Sequence, residues 1–377
     1  MEKRIFHATS IILSRTIYAI NWYNVSPLFI LIGSSLAISL SQLGLVPAFF
    51  LLGAGIFQIP AGIISSYIGP KKTAMLGMYL LSIFTILSGL AWNIYSILTF
   101  RFIVGVGAAF YFSPAIGILK NLFTQKRVGL AMGFYNAAFN LGAGIAVLSW
   151  GMVAQQFGWR DALIISGVLG LAITIENHLT LPEPVQERSG KIKNVLLNRN
   201  VIFLGIGLAG FWGAYFATAQ FLFTFLVKEK ATSILLAGSI SSLILFSGVL
   251  GGPLGGYIHD IIGKGKMLLA ILGIISSAVM GSIFMANSIT ILFLAIVLGI
   301  VAVGIFSILY AMPARYSEIP EELIPLSIGM INSLQISLGS LAPYLFAFIS
   351  DKYSFTFGWI FLAIFVLAFL PFLLFIK

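Results

Sequence analysis

Gly62-Ile-Ile-Ser-Ser-Tyr-Ile-Gly-Pro-Lys-Lys72 occurs in a second version 194 residues later, as Gly256-Tyr-Ile-His-Asp-Ile-Ile-Gly-Lys-Gly-Lys266. In both copies an apolar run ends at a glycine, Gly69 or Gly263, and lysines follow. Glycine often follows the last turn of a helix because it adopts the left-handed conformation there without strain. Each copy therefore predicts a helix, a tight turn and a basic loop.

Further matches follow the same order along the chain. The same offset relates Gly105 to Gly299, and slightly larger offsets relate Gly133-Phe-Tyr-Asn136 to Gly329-Met-Ile-Asn332 and Phe157-Gly-Trp159 to Phe357-Gly-Trp359. A single glycine match means little in a chain with 39 glycines. An ordered series with a slowly growing offset predicts two homologous halves.

The composition is that of a membrane protein. Of the 377 residues, 59% are hydrophobic and 8% are charged, whereas ordinary soluble domains are about 25% charged. The first apolar run is long and contains Arg15, so we expect a membrane span there and not a cleavable signal peptide. The chain has no cysteine, which excludes disulfides and thiolate metal sites.

Apolar runs broken by charges or turn residues give twelve segments, each long enough for a membrane helix of about 20 residues. Backbone in lipid must satisfy its own hydrogen bonds, and runs this continuously apolar predict helices. Segments 1 to 12 lie near 5–32, 42–65, 73–91, 94–119, 129–154, 161–179, 200–227, 234–258, 267–286, 289–312, 325–349 and 354–376.

The distribution of lysine and arginine predicts the orientation. An even number of spans places both termini on one side, where fifteen basic residues fall, against four on the other side. The positive-inside rule makes the basic side cytoplasmic. We therefore expect a multi-pass protein of the cell membrane with both termini in the cytoplasm. This distribution explains the net charge of +10 without a nucleic-acid partner.

The longest polar stretch separates the two predicted halves. The sequence predicts an N-terminal bundle of six helices over 1–180, a cytoplasmic linker over 181–199 and a C-terminal bundle of six helices over 200–377.

These features together resemble the major facilitator superfamily of secondary transporters. The two copies at 62–72 and 256–266 look like its loop motif Gly-x3-Asp-Arg/Lys-x-Gly-x-Arg/Lys-Arg/Lys. The run from Arg101 to Gly107 matches its fourth-helix pattern Arg-x3-Gly-x-Gly, and Gly158-Trp159-Arg160 is similar to its usual approach to helix six. The resemblance implies an all-α fold of twelve helices in two pseudo-symmetric bundles that work by alternating access. It also implies a monomer.

The resemblance also implies a gate at the cytoplasmic side. The family's motif acid is Ser66 in the first copy and Asp260 in the second, which leaves the first brace in doubt. When the protein faces outward, Asp260 should meet the start of segment 5 near Arg127, and Lys71 or Lys72 are candidates to pair with Glu321 or Glu322. The alternative is that these are exposed loop charges of little energetic weight. The predicted gate residues are Gly62, Gly69, Lys71, Lys72, Arg127, Gly256, Asp260 and Gly263.

Three charged residues fall inside the predicted spans: Arg15, Arg101 and Glu176. A charge at the bilayer centre costs several kcal/mol unless it faces a cavity or a partner. Arg15 lies about ten residues, or roughly 15 Å, past the cytoplasmic start of segment 1. It is either the cation that binds an anionic substrate or a packing residue bonded to backbone carbonyls.

Arg101 and Glu176 are the weaker candidates. By resemblance, Arg101 faces the cavity or the backbone of helix one, and a purely structural role is the alternative. Glu176, His7 and His259 lie at cytoplasmic helix ends, where we expect them to be solvated.

Polar and aromatic residues inside the spans form a second group of candidates. Tyr18 and Trp22 share a helical face with Arg15, because they follow it by three and seven residues. The alternatives are an interfacial aromatic belt and amide contacts between helices. The predicted substrate-binding residues are Arg15, Tyr18, Asn21, Trp22, Gln58, Arg101, Asn136, Asn140, Trp212, Tyr215, Gln220, Asn332 and Gln335.

The sequence favours a transporter over an enzyme. It contains no nucleotide-binding loop, catalytic triad or metal motif, so we expect no cofactor and no ATP-driven transport by this chain. The first hypothesis is a carrier for a small organic or inorganic anion, either coupled to protons or to a counter-anion or working as a uniporter. The alternatives are an exporter of lipophilic compounds, which the Phe-rich and charge-poor interior favours, and a membrane sensor that moves nothing.

Overall fold

The computed structural model describes residues 2–122, 125–183, 195–320 and 323–376, and for residues 2–4, 120, 125–130 and 325 the backbone alone. Throughout the described ranges the chain forms helices joined by short turns and contains no strand. The predicted all-α class is confirmed.

The N-terminal half contains seven helices within the described residues. They are α1 Glu2–Tyr23, α2 Phe29–Leu36, α3 Leu40–Ile56, α4 Gln58–Ile68, α5 Pro70–Gly89, α6 Ile94–Leu122 and α7 Gln125–Thr180. Segment 1 corresponds to α1 with α2, and segment 2 to α3 with α4. Segments 3 and 4 correspond to α5 and α6.

The C-terminal half repeats this arrangement with nine helices in its described part. They are α8 Arg199–Gly207, α9 Ala209–Glu229, α10 Ile234–Phe246, α11 Gly248–Ile262, α12 Gly265–Ser282, α13 Ser288–Ala311, α14 Ile324–Gly339, α15 Leu341–Lys352 and α16 Phe355–Phe369. Segments 7, 8 and 11 are each interrupted at one turn residue, Leu208, Ser247 and Ser340, which the sequence did not predict.

Nine helices of the described chain are long and apolar enough to cross a membrane, and α3 with α4, bent by 44°, makes a tenth. One of the nine is the helix α7, whose 56 residues would extend about 84 Å if straight, against a hydrocarbon core of about 30 Å. Gly158 interrupts it with φ 87° and ψ 160°, so α7 supplies both segment 5 and segment 6. The less apolar α1, which carries Arg15, covers segment 1 together with α2.

The internal repeat is visible in the packing of the two halves. A Cβ on Gly105 would lie 2.0 Å from the carbonyl oxygen of Phe50, and a Cβ on Gly299 would lie 2.2 Å from that of Ile244. Both members of the second pair follow the first by 194 residues. Glycine is required at these two positions because any side chain would collide with a neighbouring backbone.

The lysines of the repeated motif have equivalent partners. Lys71 Nζ donates to the carbonyl of Leu181 at 2.6 Å, and Lys266 Nζ donates to the carbonyl of Ile376 at 2.8 Å. Both partners follow their lysine by 110 residues: Leu181 comes directly after α7, and Ile376 comes directly after the 3-10 helix Leu370–Phe375 that follows α16. These lysines therefore satisfy carbonyls that a helix C-terminus leaves free.

The two ends of the bundle differ in their residues and in the contacts between the halves. The basic end holds the turns at Gly69 and Gly263, which have φ values of 93° and 70°, and is the end predicted to be cytoplasmic. At the opposite end the two halves are joined by hydrogen bonds. Ser26 Oγ donates to the carbonyl of Gln220 at 2.7 Å, and Ser41 Oγ donates to Asp351 Oδ2 at 2.6 Å.

Candidate functional site

A cavity of about 1030 Å³ lies between the two halves. It extends towards the basic end, where the lining residues Gly133, Phe134, Pro253 and Ala311 are exposed. Its other limit is the aromatic layer formed by Trp22 and Trp212. The cavity therefore opens at the end of the bundle where the halves are apart.

Arg15 lies in the wall of this cavity, on α1, and is 5% exposed. Its guanidinium carbon is surrounded by four aromatic rings, with centroids at 4.5–4.9 Å: Tyr18, Phe112, Tyr135 and Phe139. We call these four residues the aromatic cage. Each desolvated cation–π contact contributes up to about 2 kcal/mol, so the cage offsets part of the cost of removing the charge from water.

The cage leaves hydrogen-bonding capacity unused. Neither Nε nor Nη1 of Arg15 has a hydrogen-bond partner among the described residues. The only ion pair in the described part of the chain joins Arg315 to Asp260, so no carboxylate of these residues neutralises Arg15. A buried guanidinium with free N–H donors is suited to bind a carboxylate or another planar oxyanion in two-pronged fashion.

Aromatic side chains close the cavity towards the opposite end of the bundle. The ring centroid of Trp22 lies 6.4 Å from that of Trp212 and 6.0 Å from that of Phe216. Tyr23 contacts Phe216 at 5.4 Å. These contacts join α1 of one half to α9 of the other.

The C-terminal half contributes a neutral polar group. Tyr310 Oη donates to Asn332 Oδ1 at 2.8 Å, and Gln335 Nε2 donates to the same oxygen at 2.6 Å. With its oxygen engaged twice, Asn332 presents its amide N–H donors to the cavity that it lines. The wall opposite Arg15 is thus uncharged and can donate hydrogen bonds.

Nine of the thirteen predicted substrate-binding residues line the cavity. They are Arg15, Tyr18, Trp22, Gln58, Asn136, Asn140, Trp212, Tyr215 and Asn332. The structure places four residues outside the lining: Asn21, Arg101 and Gln220 make contacts between helices, and Gln335 bonds to Asn332 of its own helix.

Arg101 is fully enclosed behind segment 1. It is 1% exposed, its Nη2 donates to the carbonyl of Asn21 at 3.3 Å, and its guanidinium lies 4.9 Å from the ring of Phe50. The resemblance allowed Arg101 to face either the cavity or the backbone of helix one. In this structure it faces the backbone of helix one.

Asn21 and Gln220 also make packing contacts. Asn21 Oδ1 accepts hydrogen bonds from Ser166 Oγ and Asn24 Nδ2, which ties α1 to α7. Gln220 Nε2 donates to the carbonyl of Trp22 at 3.2 Å and so joins the two halves.

The described residues of the predicted gate make contacts within their own halves. Asp260 pairs with Arg315 of its own half at 3.5 Å, and Lys71 bonds within its own half as described above. The side chain of Arg127 and the whole of Glu321 and Glu322 lie outside the described residues.

The glycines of the gate motif are not required by close contacts with neighbouring atoms. Nothing lies within 4 Å of a Cβ placed on Gly62 or Gly256, while Gly69 and Gly263 need their positive φ. A wide cavity mouth at the basic end agrees with a gate that is open there.

Two titratable residues differ from expectation. His259 was expected to be solvated but is 1% exposed, because the turn at Gly263 folds the start of α12 against its ring. Glu176 accepts hydrogen bonds from Ser10 Oγ and from Thr180 Oγ1, and is therefore held between α1 and α7.

Sequence reasoning missed the rest of the cage and one polar residue. Tyr135 and Phe139 are four residues apart on α7, one position before the predicted Asn136 and Asn140, so their spacing was a usable signal. No pattern in the sequence pointed to Phe112 or Tyr310, because their roles depend on how distant helices pack.

Comparison with known proteins identifies similar chains. A family model described as Major Facilitator Superfamily matches residues 11–343. The probable galactarate/D-glucarate transporter GarP of Escherichia coli (strain K12) is 25% identical over 379 residues, covering 86% of this chain and 83% of that protein. The probable nitrate transporter NarT of Staphylococcus epidermidis is 24% identical over 264 residues, covering 69% of this chain and 68% of that protein.

A solved structure shares the fold. A bacterial homolog to the human lysosomal transporter Spinster, in an inward-facing and occupied conformation, superimposes with a TM-score of 0.81 at 17% identity. The match covers 99% of this chain and 97% of that chain.

Proposed function

This chain belongs to the Major Facilitator Superfamily of secondary transporters, and we propose that its cargo is a small organic or inorganic anion held at Arg15. The observation that carries the proposal is the caged guanidinium. It lies in the wall of a large cavity between the two halves, with free N–H donors and no carboxylate partner among the described residues.

The physical argument rests on charge in a low-dielectric site. An isolated buried charge is costly, and the rings of the cage offset only part of that cost. An incoming anion supplies the missing charge and acceptors together, so its binding is favourable where a neutral or cationic cargo gains nothing from Arg15. The opposite wall, with the amide of Asn332, suits the hydroxyl or carbonyl groups of such a cargo.

The names of the relatives support the same class of cargo. GarP is named for two sugar diacids and NarT for nitrate, which are anions of very different size. The volume of about 1030 Å³ lies at the upper end of the usual range for ligand pockets, about 300–1,000 Å³, and accommodates either.

The aromatic lining favours a second candidate. Trp22, Phe139, Trp212 and Phe306 give the cavity large apolar surfaces, which suit an exporter of lipophilic compounds. That function makes no use of Arg15, so it is separable by substitution.

The finer features of the transporter are part of the proposal. We place it in the cytoplasmic membrane with both termini in the cytoplasm, on the distribution of lysine and arginine. The bundles comprise 1–180 and 200–377, joined by the linker 181–199. Transport is coupled to protons or to a counter-anion, and the protein is a monomer.

Flux through proteoliposomes tests the cargo. Arg15→Gln should reduce uptake of radiolabelled anions, drawn from sugar acids and nitrate, by more than tenfold. Arg15→Lys should retain an intermediate rate, because lysine keeps the charge and loses the planar fork. Arg199→Gln, which removes an exposed arginine outside the cavity, is the control and should transport normally.

The transport rate of Arg15→Gln can also contradict the proposal. Anion uptake unchanged in Arg15→Gln would make Arg15 a packing residue. Efflux of lipophilic dyes by both wild type and Arg15→Gln would then favour the second candidate.

A further inference from the structure

A second cavity, of about 390 Å³, lies at the basic end and outside the transport cavity. It is built on the second copy of the repeated motif, where α11 turns into α12, and on the chain that follows α13. Its lining consists of His259, Gly263, Lys264, Gly265, Lys266, Met267, Met312, Arg315 and Tyr316. We call it the loop pocket.

Two polar atoms in the loop pocket are buried without a partner. His259 is 1% exposed, and its Nε2 has no hydrogen-bond partner. Tyr316 Oη is also buried and unpartnered. A buried polar group without a partner destabilises the fold, and two of them in one small pocket indicate that a ligand completes their hydrogen bonds.

A helix N-terminus faces the same space. The 18-residue α12 begins at Gly265, and no side chain caps it. The first N–H groups of a helix have no intrahelical acceptor and attract anions, and the first three residues of α12 all line the pocket. Gly265 is needed here, because a Cβ would lie 2.8 Å from His259 Nε2.

The charge of the pocket is positive on balance. Arg315 is paired with Asp260 at 3.5 Å, and Lys266 donates one of its hydrogens to the carbonyl of Ile376. Lys264 forms no ion pair within the described residues. Glu318 is the further acid nearby, and together with burial it raises the pKa of Tyr316 to about 12, so this hydroxyl remains a donor at neutral pH.

We propose that the loop pocket binds a phosphate group, carried either by an anionic phospholipid headgroup or by a soluble phosphate. Donors approach from three directions: the N-terminus of α12, the cation Lys264, and the buried pair His259 and Tyr316. Donors from three directions suit the tetrahedrally arranged oxygens of a phosphate group, three of them free in a monoester and two in the diester of a phospholipid, better than the coplanar oxygens of a carboxylate. The volume leaves room for the atoms that follow the phosphate in a headgroup.

This site is separate from the cargo site. None of its residues lines the transport cavity, and Arg15 belongs to the other half. Binding in the loop pocket can therefore succeed or fail independently of anion transport.

The test measures binding of inorganic phosphate and of phospholipid to the purified full-length protein. A ligand that binds the native state raises the melting temperature, so phosphate is titrated against chloride at equal ionic strength. In parallel, native mass spectrometry counts phosphatidylglycerol and phosphatidylcholine retained from mixed vesicles. The same titration on Arg15→Gln removes any phosphate held at the cargo site and so measures the loop pocket alone.

The variants remove one donor each. Tyr316→Phe, His259→Phe and Lys264→Gln should each weaken binding about tenfold, the loss expected for one hydrogen bond to a charged group. Tyr316→Phe removes an unpartnered buried hydroxyl, so its melting temperature without ligand should be unchanged or higher. Tyr257→Phe and Lys72→Gln are the controls, because they delete an exposed hydroxyl of α11 and a motif lysine of the other half.

Each result has one meaning. A phosphate-dependent shift lost in the three variants supports a soluble ligand, and selective retention of phosphatidylglycerol lost in the same variants supports a lipid. Absence of both, or equal binding by Tyr316→Phe and Tyr257→Phe, overturns the proposal.

Discussion

At the scale of single residues, the feature of greatest consequence is a cation stabilised by rings instead of by an acid. An arginine paired with a carboxylate would have its charge satisfied within the protein and would gain little from an anionic cargo. In this chain the four rings hold the guanidinium in place, while its Nε and Nη1 are buried and have no hydrogen-bond partner among the described residues. The arrangement keeps the binding group ordered before the cargo arrives, which reduces the entropy lost on binding.

The sequence identified the centre of the site and not its surroundings. Arg15 could be predicted because a charge deep in an apolar span needs a reason, and Tyr18 and Trp22 because they share its helical face. Phe112 comes from α6, more than 90 residues away in the chain, and phenylalanine is too common here to stand out. Arg101 is also a charge inside an apolar span, yet its side chain contacts a backbone carbonyl of α1 and does not line the cavity. The packing of the helices decides this difference between the two arginines.

Tyr310 provides a prediction at this scale. Tyr310→Phe removes the hydroxyl that donates to Asn332 Oδ1, so the amide loses one of its two anchors. Because a net hydrogen bond contributes about 1 kcal/mol, we expect KM for the cargo to rise about fivefold with little change in stability. Tyr95→Phe, an exposed tyrosine away from the cavity, is the control, and equal KM values in both variants would exclude a role for this hydroxyl in cargo binding.

At the scale of the elements, the internal repeat fixes helix packing more strictly than the apolar pattern does. The apolar runs predicted where helices lie, since hydrophobicity over about 20 residues is sufficient for that. They could not predict the bend between α3 and α4 or the continuity of α7 through Gly158, because both depend on single backbone angles and on neighbouring helices. Equivalent contacts in the two halves, by contrast, follow from equivalent residues.

The paired glycines predict that substitution by alanine lowers stability, where such a substitution in a helix usually raises it. Glycine to alanine inside a helix normally stabilises by about 1 kcal/mol, and Gly62→Ala should do so because its Cβ meets nothing within 4 Å. Gly105→Ala and Gly299→Ala should instead destabilise, by about 1–3 kcal/mol for overpacking, since each Cβ would lie within 2.2 Å of a carbonyl oxygen. Thermal unfolding in detergent measures all three, and stabilisation by Gly105→Ala or Gly299→Ala would contradict the packing described.

The end of α15 provides a contact that must break if the halves rock apart. Asp351 Oδ2 accepts hydrogen bonds from Ser41 Oγ at 2.6 Å and from the Ser41 backbone N–H at 3.2 Å, in the first turn of α3. This places a carboxylate of one half at a helix N-terminus of the other, a favourable arrangement of about 0.3–1 kcal/mol.

Asp351→Asn should therefore favour opening at that end. The chain has no cysteine, so Val25→Cys, at a position that is 2% exposed, provides a single reporter for a membrane-impermeant maleimide. A loss of about 1 kcal/mol predicts roughly fivefold faster labelling. Asp161→Asn changes an exposed acid and is the control, for which we expect the labelling rate of wild type. Equal labelling rates in Asp351→Asn and Asp161→Asn would show that Asp351 does not hold this end closed.

At the scale of the whole molecule, the structure is closed at one end and open at the other. Hydrogen bonds through Ser26, Ser41 and Gln220 and the aromatic contacts of Trp22 join the halves at the opposite end. At the basic end, the contacts of Asp260 and Lys71 with other described residues lie within their own halves. This asymmetry around a central cavity is what alternating access requires, and the sequence could not show which end would be open.

Ligand-induced stabilisation of the purified protein tests most directly whether the cavity binds an anion at Arg15. Wild type and Arg15→Gln are melted with a panel of mono- and dicarboxylates, sugar acids, inorganic oxyanions other than phosphate, neutral sugars and lipophilic cations. We expect one class of anion to raise the melting temperature of wild type, as native-state binding must, and to leave Arg15→Gln unchanged. Stabilisation of both proteins by the same anion, or of wild type by neutral or cationic compounds alone, would contradict an anion site at Arg15.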